Sequence, residues 1–86
     1  MRFQYTRRFQ RAYAGLSEPD AERVRKALHL LASDLGHPGL RVKRIQGTDG
    51  IWEARAGLLI RLTFERRDDC LILRNVGPHD QTLGKP

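Results

Sequence analysis

Residues 2–5 alternate in character, with Phe3 and Tyr5 set against Arg2 and Gln4, which predicts a short strand. Thr6 then stands where a helix N-cap is needed, and Phe9, Ala12, Tyr13 and Leu16 follow the i, i+3, i+4, i+7 spacing of an amphipathic helix that stops near Gly15. A second helix opens at Ser17. Pro19 is tolerated in its first turn, and Glu18, Asp20 and Glu22 face the positive end of its dipole. Its apolar stripe is Val24, Ala27, Leu28, Leu31 and Leu35, and Gly36-His37-Pro38-Gly39 ends it. Two amphipathic helices in a hairpin each need a flat apolar partner.

The second half changes period from helical to alternating. Leu40–Ile45, Ile51–Ala56, Leu58–Arg66 and Cys70–Val76 read as strands, separated by Gly47-Thr48-Asp49-Gly50, by Gly57 and by Arg67-Asp68-Asp69. Such short connections favour an antiparallel meander. The expected fold is therefore α+β: an N-terminal strand, then a helical hairpin packed on one face of a twisted, mainly antiparallel sheet of four to five strands. Residues 1–86 form one domain in this reading, without repeat or linker.

Alternation also sorts side chains by face. Trp52, Ala54 and Ala56 share one side of their strand, as do Ile60, Leu62 and Phe64 of the next, and these apolar sets are expected under the helices. Glu53, Arg55, Arg61 and Thr63 are then expected to project together from an uncovered face. Arg74 is expected on one side with Ile72 and Val76, and Gly77-Pro78-His79-Asp80 reads as a turn presenting a histidine near the sheet's end.

Composition adds a partner class. The net charge is +6, and thirteen of the sixteen cations are arginine, whose planar fork suits phosphate. An arginine-rich composition also arises from a GC-rich genome, so the charge alone decides nothing. The apolar run Ala56–Ile60 is too short to span a membrane, the first residues show no signal-peptide stretch, and a single cysteine fits a reducing compartment, the cytosol. No Cys/His set has metal-ligand spacing and no glycine-rich phosphate loop is present, so no metal or cofactor is expected. His29 and His37 read as structural or exposed, Cys70 as half-buried, Trp52 as core, and Arg7, Arg8 and Arg11 as a solvated helix face. Any one residue of the Glu53–Arg61 group is more simply a solvated sheet position. Several arginines with a histidine at the rim are collectively suited to holding a phosphodiester and moving a proton near neutral pH.

Four segments carry a resemblance: Lys43-Arg44-Ile45-Gln46-Gly47, Ile51-Trp52-Glu53-Ala54-Arg55, Ile60-Arg61-Leu62-Thr63-Phe64 and Asn75-Val76-Gly77-Pro78-His79-Asp80. In this order, after a strand and a helical hairpin, they resemble the RelE/ParE superfamily of toxins from type II toxin–antitoxin pairs. The resemblance implies a metal-free endoribonuclease that cuts mRNA on the ribosome and so inhibits translation, held in check by an antitoxin whose acidic segment covers the basic face. It also implies roles. Arg61 looks like the family's phosphate-binding arginine, and His79 takes the place of its general acid. Arg55 and Glu53 stand at strand positions where relatives carry lysines or a glutamate. Lys43, Arg44, Arg74 and Asp80 are the expected RNA contacts around them. The family's C-terminal aromatic has no counterpart in Gln81–Pro86, where Leu83 stands instead. Two other functions fit the same scaffold: a ParE-type inhibitor of DNA gyrase without nuclease chemistry, and a non-catalytic toxin acting as binding partner or co-repressor.

Overall fold

The computed structural model describes all 86 residues. The chain runs β1 (Arg2–Tyr5), α1 (Arg7–Ala14), α2 (Glu18–Ser33), a 3₁₀ turn at Pro38–Leu40, β2 (Lys43–Arg44), β3 (Ile51–Arg55), β4 (Ile60–Arg67), β5 (Cys70–Pro78) and α3 (His79–Gly84). The five strands form one sheet in the order β1-β5-β4-β3-β2. Strands β2 to β5 make the expected antiparallel meander, and β1 joins its far side parallel to β5, with Phe3 opposite Leu71 and Tyr5 opposite Leu73.

Both helix starts form for the reasons legible in the chain. The Thr6 side chain accepts the Phe9 N–H and the Ser17 side chain accepts the Asp20 N–H, each satisfying a donor that the first helical turn leaves free. Thr6 Oγ1 also donates to the Leu73 carbonyl at 2.8 Å, tying the helix start to β5. Thr6→Ala is therefore expected to cost about 1 kcal/mol or slightly more, lowering the thermal midpoint by roughly 4–8 °C for a domain of this size; thermal denaturation followed by circular dichroism measures it.

Phe9, Val24, Ala27 and Leu31 of the helices pack on Ala54, Ala56, Ile60, Leu62, Phe64, Leu71, Leu73 and Val76 of the sheet, all buried. No helix is long and apolar enough to cross a membrane. Trp52 is only half-buried at the border of this core.

Three expectations are corrected. The strand over Leu40–Ile45 shrinks to Lys43–Arg44, because Leu40 closes a 3₁₀ turn with its side chain in the core and Arg41 takes a left-handed conformation with φ 48°. Arg74 does not share a side with Val76. A bulge sets Thr63 opposite Asn75 but Phe64 opposite Leu73, so one extra residue is inserted and Leu71, Leu73 and Val76 all point into the core. Beyond Gly77 the chain does not simply turn: Pro78 precedes α3, which packs against β4 and β5.

Candidate functional site

The sheet face opposite the helices carries the polar set that alternation assigned to it. In the register of the sheet, Lys43 lies opposite Glu53 and Glu53 opposite Thr63, while Arg55 lies opposite Arg61 and Arg61 opposite Gly77. One face thus brings Lys43, Glu53, Arg55 and Arg61 together across three strands spaced about 4.8 Å apart.

This face is not uncovered, as the strand pattern alone suggests. Glu53 is 8% exposed, Arg61 5% and Thr63 0%. Helix α3 and the residues after it lie across the neighbouring positions: Thr63 Oγ1 donates to the main-chain oxygen of Pro86 at 2.9 Å, Arg74 Nε donates to the same oxygen at 3.2 Å, and Asn75 Nδ2 donates to the Lys85 carbonyl at 3.0 Å. Arg74 is further held by Glu65 at 2.6 Å. Thr82 of α3 is fully buried, and a Cβ at Gly77 would meet its Oγ1 at 3.1 Å. The absence of a side chain at Gly77 lets α3 seat closely.

Arg61 is the most constrained cation of the group. Its guanidinium donates to the Leu58 and Ile60 carbonyls, both at 3.0 Å, which fixes the fork at the β3–β4 hairpin end. Burial, and then the charges of Arg55 and Arg41, push its pKa below the usual arginine value, with Glu53 opposing them. Arg41 is thereby part of the electrostatic site, although the sequence pattern read it only as one residue of the Leu40–Ile45 strand. It lies outside β2, just after the 3₁₀ turn, so no strand register in the sequence points to it. None of Arg41, Lys43, Glu53, Arg55 or Arg61 is engaged in a salt bridge. Four cations therefore surround one carboxylate.

His79 enters from the next strand. Its N–H donates to the Leu59 carbonyl at 2.9 Å, continuing the β4–β5 ladder one step past the Ile60–Pro78 pair. That fixes its backbone two residues, roughly 7 Å of strand, beyond the position opposite Arg61. The half-exposed imidazole meets Asp80 at 2.8 Å through Nδ1, and Asp80 is otherwise in solvent. Arg44, by contrast, lies opposite Trp52 and so belongs to the other face. His29 is exposed, His37 Nδ1 accepts the Gly39 N–H of the 3₁₀ turn, and Cys70 is half-buried and free. No group of three His, Cys, Asp or Glu side chains is placed to hold a metal ion.

A meander closed by a parallel first strand, under a helical hairpin and with a basic outer face, is the architecture of the small RelE/ParE-type toxins, and the chain has that fold. It superimposes on YafQ from E. coli strain BL21(DE3) with a TM-score of 0.79 at 15% identity, covering 94% of this chain and 97% of that one. A chain of the intact E. coli RelBE toxin–antitoxin complex gives 0.71 at 14% identity (91% and 95% covered), and the YoeB/ParE toxin from Agrobacterium tumefaciens gives 0.75 at 13% (92% and 99%). No protein-family model and no curated sequence matches.

Proposed function

We propose that the protein is the toxin of a type II toxin–antitoxin pair and a metal-free endoribonuclease that cleaves mRNA on the ribosome. The observation that carries this reading is the placement of a buried Arg61, free of any salt bridge, between Arg55 and the end of β5, where His79 follows. In the reaction the substrate's own 2′-oxygen forms a bond to the adjacent phosphorus while the bond from phosphorus to the 5′-oxygen breaks, leaving a cyclic phosphate and a 5′-hydroxyl. Arg61 and Arg55 hold the non-bridging oxygens, where negative charge concentrates. Glu53 accepts a hydrogen bond from the attacking 2′-hydroxyl and orients it, and the proton that this hydroxyl loses passes to solvent water as the bond to phosphorus forms. His79 delivers a proton to the departing 5′-oxygen, with Asp80 holding its Nδ1 side so that Nε2 faces the substrate.

The test is transcript cleavage by purified protein with programmed ribosomes. His79→Gln is expected to slow it by about 10²–10⁴-fold, the usual contribution of a general acid. Intact transcripts with the wild-type protein would refute the reading, and inhibition of gyrase supercoiling in the same preparation would replace it with the ParE-type alternative. The fold alone does not choose between the two, since it is shared with a YoeB/ParE toxin. The arginine–histidine arrangement favours RNA.

The partner is an antitoxin with an acidic segment. E. coli YafQ is found in complex with DinJ, and RelB with RelE. A +6 chain with unpaired arginines on its sheet face offers the complementary charge.

A further inference from the structure

A second cationic surface lies on the Trp52 side of the sheet, with Arg41 at the edge where it adjoins the Arg61 group. The indole of Trp52 is bracketed by two guanidinium groups, Arg44 at 5.9 Å and Arg66 at 5.2 Å from the ring centroid. Both arginines are exposed, and neither has a carboxylate partner. Beside them a concavity of about 400 Å³, lined among others by His37, Arg41, Val42 and Arg66, opens at the end of α2 with no acidic residue in its wall. Of the exposed cations elsewhere, Arg2, Arg23, Arg25 and Arg67 each meet a carboxylate, while Arg7, Arg11, Lys26 and Lys85 stand singly, without an indole or a second stacked guanidinium beside them.

We propose that this surface binds the phosphate backbone of the RNA flanking the cleaved linkage. The inference rests on the function proposed above, and it gives that site a second, non-reacting subsite. The edge strand supplies the continuity. Lys43 belongs to the Glu53 face and Arg44, the next residue, to the Trp52 face, so β2 carries positive charge around the free edge of the sheet from one surface to the other. A strand of RNA leaving Arg61 diagonally across β3 meets Lys43 at this edge, after roughly 12 Å, and Arg44 directly behind it. Arginine rather than lysine on an indole is suited to this task, because a stacked guanidinium keeps its in-plane donors free for phosphate oxygens. An acidic peptide would meet the same charges. A flexible, repeating anion that already occupies the opposite face accounts in addition for the run of cations around the edge.

Trp52 is the only tryptophan of the chain, so its fluorescence reports on this surface alone. The probe is a single-stranded 2′-O-methyl oligoribonucleotide of about twelve nucleotides, which the protein cannot cleave, titrated into the full-length protein at several salt concentrations. Binding is expected to change Trp52 emission. The double variant Arg44→Gln/Arg66→Gln is expected to lose that change and to lower the slope of log K against log salt by roughly 1.4–1.8, the value for two phosphate contacts. Arg44→Lys/Arg66→Lys, which keeps both charges, is expected to restore the slope and shows that the glutamine variant's loss is one of charge and not of fold. Arg61→Gln is expected to weaken binding while leaving the emission change in place. Oligonucleotide binding with unaltered emission and a wild-type slope in the glutamine variant would overturn the proposal. A change in emission with poly-glutamate but not with the oligonucleotide would also overturn it and assign the surface to an acidic protein. Neither result depends on cleavage: a protein that leaves natural RNA intact but gives the expected emission and slopes refutes the nuclease reading and keeps the subsite.

Discussion

Replacing Arg61 by alanine is expected to reduce ribosome-dependent transcript cleavage by about 10²–10³-fold, the loss that follows removal of one preorganised charge stabiliser, equivalent to about 3–4 kcal/mol of transition-state stabilisation. The size follows from where the side chain sits. Two main-chain carbonyls hold its guanidinium, and burial with two neighbouring arginines makes the folded state bind its proton less firmly than water would. In the proposed reaction an incoming phosphate would relieve that electrostatic tension. The same feature separates catalysis from folding: the depressed pKa means that folding is opposed by this charge, so Arg61→Met, which retains most of the buried stem, is expected to keep or raise the thermal midpoint while losing cleavage. Arg61→Lys restores a point charge without the fork and should recover only part of the rate. A falling midpoint in parallel with activity in all three variants would show Arg61 to be a structural residue.

The second large effect is on stability. Phe64 is fully buried, sits opposite Trp52 on one side and Leu73 on the other, and adjoins the β5 bulge, where a shift is least easily absorbed. Phe64→Ala is expected to cost about 3–5 kcal/mol, the transfer of the ring plus the cavity left behind. An 86-residue domain has in total only about 4–13 kcal/mol. The variant should therefore melt at least ~12 °C lower or be largely unfolded at 37 °C, whereas Phe64→Leu, which fills most of the space, should remain folded. Urea titration of both variants gives the comparison. A loss below ~1 kcal/mol for the alanine variant would mean that this part of the core collapses around the gap.

The two results draw on parts of the molecule that were unequally legible in the chain. The helical hairpin could be read because its information is local: Thr6 and Ser17 are caps within three residues of what they cap, and the Val24–Leu31 stripe repeats within one helix. The two faces of β3 and β4 were legible for the same reason, and with them the grouping of Glu53, Arg55 and Arg61. What lay beyond reach depended on residues distant in sequence. Thr63 is covered by a tail 23 residues further on, and Glu53 and Arg61 are buried although they stand on the polar side of their strands. The short, weakly patterned stretch His79–Gly84 gives no amphipathic period long enough to announce α3. The bulge that turns Arg74 toward Glu65 has no composition mark either: with apolar residues on both sides of it, β5 reads equally well with or without an inserted residue. Arg41 was hidden by its left-handed backbone, a conformation that few arginines adopt.

The pairing of β1 with β5 has a consequence for how such a protein comes into being. The first strand to be synthesised has its hydrogen-bonding partner in residues 70–73. During translation it must wait, unpaired, until residues 70–73 have emerged, and contacts of such long sequence separation form slowly. Arg61 and His79 are likewise assembled only when β5 docks on β4. The Arg61–His79 face is thus one of the last parts of the described chain to form, and until residues 70–79 have been made and docked its groups are not held together.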